Sequence, residues 1–376
     1  MSAAQMEPTT TTDRHIFMTR SHIVSMLNAN AGSSSVAAAV PLPSGSERHE
    51  LLDHPAMVSA ARSCVFVKEV ARSMGFPART ISTAQLLIHR TYIYRSTPPV
   101  ASSDLATACL FVAAKMEETI KRLRDVLAHS YINSLTLNGG TPIDVQSVPA
   151  AVTDKMRPTV LAGEQYIMDA IGFDFRTTHA HLLYVKLAKL AGVPKANIAV
   201  DGWTILSDSY FTTLPVQFPS LVTAAGALCL AWNLCCGSPR TAGNTQVFQA
   251  FGSGKGIEES ANRRGTTSNG LDSKQNGGGG GGVVAPSGQQ RPRGRDRRRR
   301  PMSLDLTSEW WLEFGVATED IQSFVRQIAD FYLLFFNSTV ASAEYIERHK
   351  SGLPSKEMSQ KIGQWRMKLS SAIGGT

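Results

Sequence analysis

Apolar positions recur at three- and four-residue spacing from about residue 51 to residue 237, and no stretch alternates for long with a two-residue period. Spacing of this kind places an apolar stripe along one side of an α-helix, whereas a half-buried strand would alternate. The pattern therefore predicts an all-α protein.

Five helices make up the first predicted set, and turn residues separate them. We expect them at residues 56–74, from the capping Thr80 to the Pro98-Pro99 pair, and at 104–118, 121–132 and 158–171. The third contains DLATACLFVAAKMEE and is apolar almost all round. This distribution is typical of a helix that neighbours surround on every side.

The same pattern then begins again. Helices are expected at residues 178–190, 198–211 and 216–235, and the last of these is a second long, nearly all-apolar helix. The two central helices lie about 115 residues apart, which indicates a duplicated five-helix unit rather than a short repeat. Two helices from Leu304 onward, the second at 318–336 with Thr318 as its cap, would complete the second unit.

Composition divides the chain into predicted regions. Residues 1–50 are expected to be disordered, with one short amphipathic stretch at 16–27; residues 51–176 form the first domain and 177–337 the second. A Gly/Arg-rich insert at 238–303, with six consecutive glycines, interrupts the second domain and is expected to be disordered. Residues 338–376 are predicted to be a polar, loose C-terminal tail, in which residues 362–369 could form a further helical turn or two.

The net charge of +8 belongs to the insert. Residues 238–303 contain twelve Lys and Arg and four acidic residues, so the rest of the chain is formally neutral. A basic fold that binds nucleic acid is therefore not needed to explain the charge, and contact with nucleic acid is expected only through Arg291–Arg300, which could equally serve nuclear import or be a solvated linker.

Other classes of protein are disfavoured by simple features. No apolar run approaches the eighteen or so residues of a spanning helix, so we expect no membrane association, and Glu7 and Asp13 argue against an N-terminal targeting segment. The five cysteines include no CxxC pair and are expected to be buried, reduced core residues.

No residue pattern for catalysis stands out. The folded parts contain neither GxGxxG nor GxxxxGK[ST], and His179 and His181 have no evident third metal ligand, so a capping or core role is expected for both. We predict no catalytic residue, no metal site and no cofactor.

Charged residues at the end of the third helix are more informative. Lys115, Glu117 and Glu118 close an otherwise apolar helix, where a lysine is already stabilised by the helix dipole. The segment LATACLFVAAKMEETIKRLRDVL nevertheless resembles the cyclin box, whose central helix ends in Lys-x-Glu-Glu. LIHRTYIY at 87–94 and LAGEQYIMDAIGFDF at 161–175 continue the resemblance, which covers 51–237 and 304–337.

Within the cyclins, the sequence is most similar to the transcription group, which comprises cyclin K, cyclin T, cyclin L and the fungal cyclin of the RNA polymerase II C-terminal-domain kinase. His89 precedes Arg90 as in that group, and Trp-Trp-Leu-Glu-Phe at 310–314 favours cyclin K and its fungal counterpart. The resemblance implies tandem five-helix cyclin-box domains, in agreement with the periodicity.

The resemblance also implies a binding site for a kinase. Lys115 matches the box lysine and Glu164 the glutamate of the fifth helix, which together bind the kinase; Phe111 matches an apolar contact and Glu118 the last acid of the motif. We expect Lys115 and Glu164 to pair with opposite charges on a cyclin-dependent kinase catalytic subunit. The resemblance leaves room for a third regulatory subunit.

The implied function is that of a nuclear, non-catalytic subunit that activates a kinase acting on the RNA polymerase II C-terminal domain. A splicing-linked cyclin of the cyclin L kind is one alternative, although the chain has no Arg-Ser tail. A general transcription factor of the TFIIB kind is another. It would require a zinc ribbon before the fold, and the first fifty residues contain no cysteine.

Overall fold

The computed structural model of the chain describes residues 17–31, 51, 54–95, 98–141, 143–193, 197–236, 309–335 and 352–373. In chain order its α-helices are α1 (Arg20–Ala31), α2 (Pro55–Ser73), α3 (Ala78–Tyr94), α4 (Ser102–Met116), α5 (Leu123–Leu137), α6 (Ala150–Ala170), α7 (Ala180–Leu190), α8 (Ile198–Ser209), α9 (Leu214–Gln217), α10 (Ser220–Cys236), α11 (Thr318–Phe335) and α12 (Lys356–Ile373). Short 3₁₀-helices lie at Val145–Ser147 and Trp310–Phe314. The described residues contain no strand, and the all-α prediction is confirmed.

Two apolar helices lie at the centres of two groups of helices. Helix α4 packs against α2, α3, α5 and α6, and helix α10 packs against α7, α8, α11 and α12. Both are buried over most of their length, as their nearly continuous apolar sequences require. That the second group is a second cyclin box, and that the domains meet at the boundaries given above, stay predictions.

Two predicted helices differ from the observed ones at prolines. Helix α6 begins at Ala150 and not at Pro158, which lies inside it. Asp154, whose carbonyl would have bonded the missing amide of Pro158, is exposed, so water can take the place of that bond. The helix expected at 216–235 is instead two helices, because Phe218 before Pro219 is extended between α9 and α10.

Two predictions, about a helix cap and about the burial of the cysteines, were also wrong. Thr80 does not cap α3: the helix begins at Ala78, and the Thr80 hydroxyl lies 2.9 Å from that of Thr119. Cys64, Cys109 and Cys229 are buried as expected, but Cys235 and Cys236 at the end of α10 are exposed. Residues 1–16 and the insert at 238–303 lie outside the described residues.

The N-terminal region contains a packed helix that the sequence analysis did not predict in full. Ile23 and Leu27 of α1 are buried, and Nδ2 of Asn30 donates hydrogen bonds to the carbonyls of Ile93 at 3.0 Å and Tyr94 at 3.2 Å. These carbonyls lie in the last turn of α3, where a helix has no internal donors left for them. The amphipathic stretch thus forms part of an ordered helix, α1, whose Asn30 caps the C-terminal end of α3.

The C-terminal region is likewise not a loose tail between residues 352 and 373. Met358 and Ile362 of α12 are buried, and the amide of Gly352 donates to Oε1 of Glu69 at 3.2 Å. A Cβ at Gly352 would lie 2.7 Å from the carbonyl oxygen of Val65, so this approach requires glycine. The polar composition of this region does not indicate its packing, because the residue that holds it, Glu69, is distant in the sequence.

A buried ion pair joins the two groups of helices. Nζ of Lys68 on α2 lies 3.1 Å from Oδ1 of Asp208 on α8, and both side chains are at least nine-tenths buried. The other carboxylate oxygen accepts hydrogen bonds from the Tyr332 hydroxyl and the Ser355 amide, each at 2.8 Å. Burial lowers the pKa of Lys68, and Asp208 opposes that effect. Helices α2, α8 and α11 therefore meet at one carboxylate.

Two buried histidines are held in the neutral form. Nε2 of His89 on α3 donates to the carbonyl of Tyr210 at 3.0 Å, and burial lowers the pKa of His89 to about 4. His181 lies under Trp203, with ring centroids 4.8 Å apart, and burial lowers its pKa to about 4 as well. Both imidazoles belong to the core, as expected for His181.

We expect Asp208→Ala to lower the free energy of unfolding by about 3–5 kcal/mol, because it leaves the Lys68 ammonium buried without its counter-charge. Urea unfolding followed by circular dichroism measures the loss. Glu357→Ala on α12 is the control: that side chain is 77% exposed in its pair with Lys361, and its removal should change stability by no more than about 0.5 kcal/mol. Equal losses in the two variants would contradict the assignment.

Stability should fall as the pH drops from about 6.5 to about 4. Folded His89 stays neutral down to the lower value while an unfolded histidine takes up its proton near 6.5, so the unfolded state binds more protons in this window. We expect His89→Gln, which keeps a donor for Tyr210, to reduce the slope by up to about 1.4 kcal/mol per pH unit. Part of the dependence of stability on pH should remain in this variant, because the pKa of His181 is lowered to about 4 as well. Urea midpoints at several pH values test this, and an unchanged slope would count against it.

Candidate functional site

The end of α4 and the middle of α6 bring the first two predicted site residues together. Lys115 lies in the last turn of α4, and Glu164 lies on α6, which crosses it. The helices approach closely at Gly163, where a Cβ would lie 3.0 Å from that of Ala108. A small residue beside Glu164 therefore lets its carboxylate reach Lys115.

Lys115 and Glu164 form an ion pair with each other. Nζ of Lys115 donates to Oε1 of Glu164 at 2.5 Å, and the same Nζ lies 4.2 Å from the centre of the Phe111 ring. Phe111 is half-buried one turn earlier on α4, and its ring face attracts the ammonium. The Lys115 side chain is still 43% exposed, so the pair can be reached by another protein.

Glu118 lies apart from this pair, in the turn that ends α4. Its φ is +54°, in the left-handed region, and the amide of Thr119 donates to the carbonyl of Ala114 at 2.9 Å. This six-to-one bond, with that from the Glu118 amide to Lys115, is a Schellman motif, in which glycine is the usual residue at the left-handed position. The side chain of Glu118 is exposed.

Glu117 is the residue of this motif to which the sequence analysis assigned no role in the kinase site. Its side chain is buried; it accepts a hydrogen bond from the Thr83 hydroxyl at 2.7 Å and lies 3.1 Å from Nε2 of His179. Its carbonyl accepts from the Arg79 guanidinium at 3.1 Å. Glu117 thus fixes the end of α4 to α3 and to the segment before α7. His179 occupies the N-cap position of α7, one of its two expected roles, but its side chain makes no capping hydrogen bond and contacts Glu117 instead.

Asp174 fixes the segment that follows α6. The carboxylate lies 3.4 Å from the Arg90 guanidinium and accepts hydrogen bonds from Arg176, which hold the pKa of Asp174 down at about 2. Phe173 and Phe175 on either side are 61% and 40% exposed, with ring centroids 6.4 Å apart. Two aromatic rings are therefore held at the surface on either side of the half-buried Asp174, which is fixed by its ion pairs.

Exposed residues follow the end of α4, the middle of α6 and the segment after α6. We call this group the α4–α6 surface; it consists of Phe111, Lys115, Glu118, Ile120, Leu161, Glu164, Phe173 and Phe175. Ile120 is 72% exposed and Leu161, three residues before Glu164 on α6, is 43% exposed. Exposed apolar and aromatic side chains around a small charged centre are the composition of a protein-binding interface. Sequence periodicity could not reveal Phe173 and Phe175 as part of this surface, because they lie outside any helix.

Other kinds of site find no support in the described part of the chain. No group of three His, Cys, Asp or Glu side chains there is placed to hold a metal ion. No helix of the described residues is long and apolar enough to cross a bilayer.

Comparison with known proteins identifies the first group of helices. The family described as "Cyclin, N-terminal domain" matches residues 45–176. "Cyclin-T1-4" of Arabidopsis thaliana is 31% identical over 169 residues, which are 45% of this chain and 31% of the relative. "CTD kinase subunit beta" of Schizosaccharomyces pombe is 28% identical over 45% of this chain and 50% of its own length. Human "Cyclin-K" is 29% identical over 45% of this chain and 28% of its own length.

Residues 45–176 are therefore a cyclin N-terminal domain, and its relatives include cyclin T, cyclin K and the fungal CTD kinase beta subunit. The resemblance stated from the sequence is confirmed for these residues, and for 177–237 and 304–337 it stays a prediction. The matches span no more than half the length of these three relatives.

Glu118→Gly should stabilise the folded protein by about 0.5–1 kcal/mol, because glycine adopts the left-handed conformation without strain from a Cβ. Thr119→Gly, at a position where φ is not positive, is the control and should be destabilising. Chemical unfolding of the two variants and the parent measures both effects. A loss of stability in Glu118→Gly would show that its side chain makes a contact that outweighs the strain.

Proposed function

We propose that the chain is a non-catalytic regulatory subunit that binds and activates a cyclin-dependent kinase, and that this kinase phosphorylates the C-terminal domain of RNA polymerase II. The observation that carries the proposal is the α4–α6 surface, which lies on the cyclin N-terminal domain and combines the Lys115–Glu164 pair with exposed apolar groups.

The geometry refines how the charged residues would act. Lys115 and Glu164 satisfy each other before a partner binds, so neither charge is left without compensation in the free protein. A kinase can bind to this pair by adding hydrogen bonds to its outer atoms, while Ile120, Leu161 and the Phe173–Phe175 rings supply apolar area. Charge would then give orientation and apolar contact would give most of the affinity.

Activation follows from which kinase conformation is bound more tightly. A protein kinase is active when its β3 lysine pairs with the glutamate of helix αC, and that helix is displaced in inactive states. The α4–α6 surface would bind αC only in the active position. A ligand shifts a conformational equilibrium only through such a difference in affinity, so the chain needs no reactive group of its own.

The relatives favour transcription as the process. One relative is named as the beta subunit of a CTD kinase, and others are cyclins T and K. We accordingly propose nuclear localisation and leave room for a third regulatory subunit beside the kinase. Contact with nucleic acid is proposed only for Arg291–Arg300, which lies outside the described residues.

The proposal is tested by purifying the tagged full-length chain with its kinase and assaying phosphorylation of polymerase repeat peptides. Lys115→Glu and Glu164→Lys should each reduce recovered kinase activity by about tenfold or more, because each leaves two like charges together. The double variant can form the ion pair again with its polarity reversed. We expect it to remain impaired, since the charges presented to the kinase are exchanged.

Glu357→Lys is the matched control, an equal charge reversal at an exposed position of α12, and it should leave the activity unchanged. If the double variant recovers full activity, the pair serves the fold and not the interface. If a kinase is recovered that ignores polymerase repeats, the regulatory role stands and the assignment of the substrate fails. If no kinase is recovered with the parent chain, the whole proposal fails.

A further inference from the structure

Helices α7 and α8 expose a second apolar face that the proposed kinase site does not use. Leu182 and Val185 of α7 are 64% and 36% exposed, and Val200 and Trp203 of α8 are 56% and 37% exposed. Each pair is separated by three residues, so each forms a stripe along its helix. We call these four residues the α7–α8 face.

The two stripes lie side by side. The Trp203 ring lies 4.8 Å from that of His181 and 6.3 Å from that of Tyr184, and these residues immediately precede Leu182 and Val185. Ser207, one turn beyond Trp203, lies 3.3 Å from Nε2 of His181. The two helices are thus in contact, and the exposed apolar stripe of each helix lies next to that contact.

Positive charge borders the α7–α8 face. Lys186 and Lys189 are exposed on α7, and neither forms an ion pair with any described residue. Lys189 follows Val185 by four positions and continues the stripe of Leu182 and Val185. The nearby carboxylate of Asp201 is buried and paired with Lys361 at 3.0 Å, so it does not neutralise the two lysines.

Charge decides between the occupants of such a face. A second copy of the chain, docked through the same face about a two-fold axis, would place four lysines, Lys186 and Lys189 of each copy, in one interface. The insert at 238–303 carries a net charge of +8 and would be repelled by the same lysines. An acidic segment meets neither obstacle.

We propose that the α7–α8 face binds an acidic amphipathic helix of a partner protein other than the kinase. Apolar side chains of that helix, spaced by three and four residues, would cover Trp203 and its neighbours, and carboxylates on its edge would pair with Lys186 and Lys189. The face is built from helices that contribute nothing to the α4–α6 surface, so the proposal does not rest on the assignment of the kinase.

Two labelled helical peptides of about five turns test the proposal, with identical leucine stripes and either glutamate or lysine at the flanking positions. Fluorescence anisotropy with the full-length chain should show the glutamate peptide binding about tenfold or more tightly than the lysine peptide. Leu182→Glu with Val200→Glu should weaken it by about tenfold or more, and Lys186→Glu with Lys189→Glu should reverse the preference.

Leu312→Glu is the control, since Leu312 is also apolar and 51% exposed but lies in the 3₁₀-helix at 310–314. An equal loss in this variant, or equal binding of the two peptides, overturns the proposal. So does a dimer in sedimentation that the Leu182→Glu, Val200→Glu variant dissociates, which would assign the face to a second copy. Binding that strengthens about tenfold when a short neutral linker replaces 238–303 would assign it to the insert.

Discussion

The buried carboxylate of Glu117 determines where the proposed binding surface lies. Through Thr83 it holds the end of α4 against α3, and through His179 it holds the segment that carries Phe173 and Phe175. Lys115 precedes Glu117 by two residues and Glu118 follows it, so their positions depend on the same anchor. A rigid surface of this kind binds a partner without first being ordered, and less free energy is spent on fixing side chains.

A second buried carboxylate, Asp208, performs the corresponding task between the two groups of helices. It pairs with the ammonium of Lys68 on α2 and accepts hydrogen bonds from the hydroxyl of Tyr332 on α11 and from the amide of Ser355 in the C-terminal region. Burying charge is unfavourable unless every partner is supplied, so this arrangement is formed fully or not at all. The relative position of the groups is therefore set by hydrogen-bond directions as well as by apolar packing.

Local sequence was sufficient for the helices and insufficient for the contacts that unite them. The apolar circumference of α4 and α10 indicated burial directly, and the Lys-x-Glu-Glu motif located Lys115. Nothing in the motif distinguishes Glu117, which is buried, from Glu118, which is exposed, because that difference arises from the turn that ends α4. Asp208 and its partner Lys68 lie 140 positions apart, so no local pattern joins them. The polar residues around Ser355 resemble a solvated tail in the sequence, because only the folded structure brings the Asp208 carboxylate to them.

The bond between Glu69 and Gly352 joins residues that are 283 positions apart in the chain. Ribosomes add roughly 5–20 residues per second, so on the order of tens of seconds separate the synthesis of the two residues. During that interval α2 has emerged, and the segment that completes its surroundings has not yet been made. The helices around α4 can pack early, whereas α10 is covered by α11 and α12 only after residue 373 has been made, so the apolar surface of α10 stays uncovered on that side during this interval.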